Sequence, residues 1–133
     1  MISCELCQLP GGEILHQDAL LRVVLVDDPD YPGFCRIIWQ RHIKEMSDLS
    51  PAERQHLFDW LIRCEQALRT TLNPDKINLA SLGNMVPHLH WHVIPRFSDD
   101  THFPSPIWAP AQRNAARANP IDLAERLKIA LGN

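Results

Sequence analysis

The run His88-Leu89-His90-Trp91-His92 sets three imidazoles at two-residue intervals. In an extended strand alternate side chains share a face. His88, His90, His92 and Ile94 would then line one side, with α-carbons roughly 6.6 Å apart at each step. Leu89, Trp91 and Val93 would face the other way, onto a core. Imidazoles add little to a core, and three adjacent ones would repel if protonated together. Three readings of the row stand side by side. It is a histidine-bearing edge strand facing water, or a catalytic zinc site with three histidine ligands, or a nucleophilic imidazole acting on phosphorus, with its neighbours orienting it and stabilising charge.

A second group with chemical potential is Cys4 and Cys7, whose two-residue separation is metal-ligand spacing. Cys35 lies in an apolar run and Cys64 in a helical pattern, so both read as small core residues.

These residues need elements to hold them. Glu13–His16 and Leu20–Val26 are short strands separated by Gln17-Asp18-Ala19, which reads as a hairpin. Residues 27–33 are turn chemistry throughout (Asp27-Asp28-Pro29-Asp30-Tyr31-Pro32-Gly33). Phe34–Gln40, rich in β-branched and aromatic residues, is a third strand. Ser50-Pro51-Ala52-Glu53 carries a capping box with proline at the first helical position. Leu57, Leu61, Cys64, Leu68 and Leu72 then recur at helical spacing until Asn73-Pro74. Lys76–Leu82 and Leu89–Pro95 read as strands with a turn at Gly83-Asn84 between them. Residues 97–119, with Pro104, Pro106 and Pro110, form an irregular arm, and a short amphipathic helix follows from Asn119-Pro120 to Leu131. The pattern predicts one domain over 1–133 (core 4–96, arm 97–119, short helix 120–131), of class α+β with an antiparallel sheet.

The 133 residues carry a net charge of −3, which gives no basic field for non-specific nucleic-acid binding, so no nucleic acid is expected as a partner. No stretch approaches the roughly 20 apolar residues of a membrane span. The start Met1-Ile2-Ser3-Cys4-Glu5 has neither a basic nor an apolar leader region, so the expected compartment is the cytoplasm.

The run His88-Leu89-His90-Trp91-His92-Val93-Ile94, continued by Pro95-Arg96, resembles the His-φ-His-φ-His-φ-φ signature of the histidine triad (HIT) family, φ being apolar. Cys4-Glu5-Leu6-Cys7 with Gly12-Glu13-Ile14 resembles the start of many bacterial members. Ile37-Ile38-Trp39-Gln40-Arg41-His42-Ile43 resembles their second core strand and its exit, and Gly83 fits the glycine before the triad. The resemblance covers roughly residues 4 to 96. It implies a HIT-like antiparallel sheet of about five strands with two main helices, paired as a homodimer.

By that resemblance His90 is the nucleophile on the α-phosphate of a nucleotide, forming a nucleotidyl-histidine that water releases. His92 would hydrogen-bond the phosphate oxygens and protonate the leaving group, His88 would fix the local network, and Asn84 would contact the α-phosphate. Val24 and Val26 would border the base and Asp27 would hold the ribose, although Asp27 and Asp28 read equally as turn residues. Zinc-bearing members imply a closed structural zinc on Cys4, Cys7, His42 and His88, with no cofactor required for the chemistry. The resemblance fails at Gly33-Phe34, where the family commonly has Gly-His, so the support behind the triad differs. The loop before the triad also lacks the family's longer insert. Phe103 and Trp108 in the arm either cover the site or anchor the arm.

The function implied is a nucleotide hydrolase or transferase acting on a dinucleoside polyphosphate or a nucleoside phosphoramidate. The alternatives are a nucleotide-binding or signalling module with weak catalysis, and a three-histidine metallohydrolase.

Overall fold

A computed structural model describes residues 3–115 and 117–132; the ends of the expected 1–133 domain, and Ala116 in the arm, lie outside the described residues. Along the chain run α1 (Glu5–Gln8), β1 (Glu13–Gln17), β2 (Leu21–Leu25), β3 (Cys35–Trp39), α2 (Pro51–Leu72), β4 (Lys76–Ala80), β5 (His90–Arg96) and α3 (Leu123–Ala130). The strands form one sheet in the order β1-β2-β3-β5-β4, with every pairing antiparallel. This is the expected α+β architecture of five strands and two main helices. Among the described residues no helix is long and apolar enough to cross a membrane.

Local chemistry sets the element ends. The Ser50 hydroxyl accepts from the Glu53 N–H while Glu53 accepts from the Ser50 N–H, so the capping box closes as its sequence predicts. Asn73 ends α2 in the left-handed region at φ 50°, which asparagine tolerates better than most residues. Two corrections follow from backbone geometry. The last helix begins at Leu123, not at Pro120, because Asp122 adopts φ 59° and turns the chain just before it. The four-residue α1 is too short to leave a periodic signature and was not expected.

Opposed residues in the antiparallel pairs share a face, which sorts the sheet into two sides. On one side Leu21, Val23, Ile37, Trp39, Ile77 and Val93 pack beneath Leu57, Leu61 and Leu68 of α2 and Leu127 of α3, forming the main core. The other side carries Arg36 opposite His92 and Ile38 opposite His90. It is roofed separately at its two ends. Leu6 of α1 lies on Val24 and Ile38, and Ile107 of the arm packs against Tyr31, Phe34 and Ile94.

The arm is irregular, as its prolines predict, but it is tied down by a buried ion pair. Arg96, the last residue of β5, donates through Nε and a terminal nitrogen to both oxygens of Asp100, at 2.8 and 3.0 Å. The same terminal nitrogen also donates to the Ser105 carbonyl, and the other one donates to Asn78 Oδ1. Asp100 also accepts from the backbone N–H groups of Phe97, His102 and Phe103. Burial alone would raise the Asp100 pKa, but Arg96 and these donors outweigh it and hold the carboxyl well below the carboxylate range. Both side chains are at most 3% exposed, and removing one strands the other's charge. Asp100→Ala should therefore lower the unfolding free energy by about 3–5 kcal/mol, read from denaturant midpoints, and should speed amide exchange across the arm.

Candidate functional site

Regular pairing in β5 begins at His90, so His88 stands just before the strand and not within it. The consequence is a division of the three imidazoles. His88 Nε2 lies on the Trp39 carbonyl. A carbonyl can only accept, so the proton sits on Nε2 and the Nδ1 lone pair is bare. That lone pair points at the N-terminal cysteines and His42. His90 is set the opposite way: its Nδ1 is 2.6 Å from the His88 carbonyl. The proton is fixed on Nδ1, and Nε2 keeps an available lone pair with no hydrogen-bond partner among the described residues.

His92 shares the face of His90, with ring centroids 4.9 Å apart and nearly perpendicular planes. Phe34 meets it edge-on at 5.7 Å. Where the resemblance would place a histidine, this chain thus supplies a ring edge and no hydrogen bond, and His92 Nδ1 is buried without a partner. Trp108 reaches in from the arm to 5.0 Å from the same imidazole. Of the two roles open to it in the sequence, Trp108 borders the site. Phe103 instead lies against the Arg96 guanidinium, 5.8 Å away, and belongs to the arm's anchor. The His92 pKa is pushed down to about 4, by burial first and then by His90 and Arg36. The imidazole is therefore neutral near pH 7.

Asn84 is exposed in the loop between β4 and β5, which turns at Gly83 with φ +83°. Among the described residues it bonds to none of the histidines. Asp27 and Val26 line a cavity of ≈ 560 Å³ with Gly12, Glu13, Gly33 and the start of α3. Val26 also packs in the cluster of Tyr31, Phe34 and Ile94. Asp27 thus borders a space large enough for a nucleoside, which Leu123 and Ala124 of α3 also line, while Val24 is buried beneath Leu6.

Cys4, Cys7, His42 and His88 bring four donor atoms within 4.8 Å of one another. Cys4 Sγ and Cys7 Sγ lie 3.4 and 3.5 Å from His88 Nδ1; Cys7 Sγ lies 3.4 Å from His42 Nδ1, and the two Nδ1 atoms are 3.2 Å apart. A tetrahedral zinc with bonds of about 2.05 Å to nitrogen and 2.3 Å to sulfur requires N···N edges near 3.3 Å and N···S edges near 3.5 Å. These four edges already stand at those separations, and the donors could hold such an ion. Burial lowers the His88 pKa, keeping the imidazole neutral as a ligand must be. The cysteine segment is fastened beside the cluster by Arg22, whose guanidinium donates to the Leu6, Leu9 and Pro10 carbonyls and to Gln40. Reading the sequence alone missed both Arg22 and Arg36. The signal available was a charged residue inside an otherwise apolar strand run.

The sequence profile described as the HIT domain matches residues 11–99. The chain is similar to a crystal structure of a histidine triad protein from Bradyrhizobium japonicum, with 27% identity and a TM-score of 0.77 over 99% of this chain and 95% of that one. A zinc-bound histidine triad family protein from Mycobacterium smegmatis shares the fold at 21% identity, with a TM-score of 0.71 over 98% of this chain and 94% of that one. Among curated proteins, the asymmetrical bis(5′-nucleosyl)-tetraphosphatase of Schizosaccharomyces pombe is 25% identical over 109 residues, 78% of this chain. The chain spans only 60% of that relative's length.

The depressed His92 pKa makes stability depend on pH. An unfolded histidine titrates near 6.5 and the folded one near 4, so between these values the unfolded chain binds a proton that the folded chain refuses. Stability should fall as pH drops from about 6.5 to 4 and level off below, by up to about 3 kcal/mol. His88 adds in the same direction. Asp100 acts in a lower window, since its pKa lies below the ordinary 3.8. His92→Gln should flatten most of the upper slope when denaturant midpoints are compared across pH.

Proposed function

The chain belongs to the HIT domain family, and on that premise we propose that it cleaves nucleotides at the α-phosphate through a covalent intermediate on His90. The observation that carries this reading is the hydrogen bond from His90 Nδ1 to the His88 carbonyl. It leaves Nε2 as the one free nucleophilic nitrogen of that ring and orients it on a rigid strand. In the first step the Nε2 lone pair forms a P–N bond, and the bond from phosphorus to the leaving group breaks, with its electron pair going to that group. Water then attacks phosphorus, the P–N bond breaks and the nucleoside monophosphate is released. His92 donates a hydrogen bond to a phosphoryl oxygen, Asn84 reaches the α-phosphate from its exposed loop, and Asp27 takes the ribose at the mouth of the cavity.

The substrate is a dinucleoside polyphosphate or a nucleoside phosphoramidate, the first supported by the tetraphosphatase likeness. The charge state of His92 bears on the choice. A neutral imidazole has no spare proton, and a phosphate leaves without one whereas an amine does not. Bound phosphate would itself raise the His92 pKa, and the imidazole could then protonate the leaving group. The three-histidine metallohydrolase has no geometric support. The single donor cluster among the described residues that could hold an ion includes His88 but neither His90 nor His92.

Zinc in the Cys4, Cys7, His42 and His88 cluster is the reading its donor set and spacing favour. Two thiolates and two imidazoles close the coordination sphere, so the ion is structural and takes no part in the steps above. A homodimer would cover the free edge of β4, whose Leu79 stands exposed.

His90→Asn should still bind nucleotide yet give no acid-labile adduct and no turnover, in rapid-quench assays with adenosine and guanosine substrates of both classes. Normal turnover by that variant would falsify the mechanism. Elemental analysis of protein purified without a metal-affinity tag should find one zinc per chain. Zinc-free protein with two titratable N-terminal thiols would rule the metal site out.

A further inference from the structure

Three arginines stand on the histidine face of the sheet, and the chain treats them differently. Arg96 is locked to Asp100. Arg22 is satisfied by three carbonyls and Gln40. Arg36 sits between them in the middle of β3, paired across the sheet with Val24 on one side and His92 on the other. Among the described residues it makes no hydrogen bond and no ion pair, and its Nε is buried without a partner. Glu5 and Asp28 are near enough to act on its charge, but neither bonds to it. Its guanidinium lies 5.6 Å from the centre of the Phe34 ring, the same ring that walls His92.

A half-buried guanidinium whose Nε has no partner is unfavourable unless something compensates it. Val24 and Ile38, its neighbours on the same face, show that an aliphatic side chain suits this place. His92 Nδ1, directly across the pair, is likewise buried without a partner. Two unmet polar groups therefore adjoin on one face, next to the nucleophilic imidazole. A planar fork of N–H donors beside an imidazole is the chemistry of phosphate recognition.

We propose that Arg36 is a substrate-binding and specificity residue that holds phosphate oxygens beside His92 and so favours substrates with a polyphosphate leaving group over phosphoramidates. The choice between those classes rests on the nucleotidyl-transfer reading above; the anion site itself does not. A phosphoanhydride carries negative charge beyond the reacting phosphorus, where Arg36 can meet it. A phosphoramidate carries an amine there and gains nothing from the guanidinium.

The test uses the full chain and inorganic tripolyphosphate, with binding followed by calorimetry in magnesium buffer. Arg36→Met should weaken binding roughly ten- to a hundredfold, the range for a lost charge-assisted hydrogen bond. Arg36→Lys should recover part of it, since it keeps the charge and loses the fork. The Met variant should melt no lower than the parent, because a buried donor set without a partner has gone. In turnover assays kcat/KM for diadenosine tetraphosphate should fall at least tenfold more than for adenosine phosphoramidate. Equal tripolyphosphate binding by parent and Arg36→Met, no binding by the parent, or a lowered melting temperature in both variants would overturn the proposal. Binding lost with Arg36, in a parent that turns over no nucleotide, would keep the anion site and dismiss the hydrolase reading. Unchanged binding with normal turnover would do the reverse.

Discussion

Two backbone carbonyls organise the chemistry of this molecule. The Trp39 oxygen holds the proton of His88 on Nε2, and the His88 oxygen holds that of His90 on Nδ1. Because a carbonyl accepts and never donates, each contact fixes both a tautomer and a ring orientation. Successive histidines of one motif are thereby given opposite polarity. The first turns its free nitrogen toward the cysteines, and the second keeps its own without a partner among the described residues. Neither setting needs a carboxylate.

The sheet makes this arrangement rigid by being covered on both sides. The helical side supplies the apolar core, where α2 and α3 bury Val93, Ile37 and their neighbours. The histidine side is roofed by two irregular pieces, the cysteine segment at one end and the proline-rich arm at the other. Both are fastened through arginines that project from strands. Arg22 gathers the carbonyls of the first piece, and Arg96 grips Asp100 of the second. Buried charge here does the positioning that a second helical layer would do in a thicker fold, and it leaves a polar cleft between the roofs.

Much of this was legible beforehand where a short local rule governs. The capping box of α2, the turn at residues 27–33 and the strand character of His90–Arg96 follow from neighbours in sequence. The four-donor cluster came by resemblance, and its spacing in the structure fits a tetrahedral ion. Where long-range geometry decides, the residues alone fell short. Strand periodicity put His88 in line with its partners, yet a pairing that begins at His90 releases it to the cysteines. The start of α3 was set by the backbone at Asp122 and not by Pro120. Arg36 looked like one more polar residue in an apolar run, because its meaning lies in a cross-strand neighbour 56 positions away, in His92.

The cluster's span along the chain has a consequence for how the protein is made. Cys4 and His88 are separated by 84 positions. At ribosomal speeds of about 5–20 residues per second, the cysteines wait roughly 4–17 seconds for their last partner to be synthesised. During that interval two thiols three positions apart stand open to oxidation and to stray metals. Closing the cluster thus waits on the segment that leads into β5.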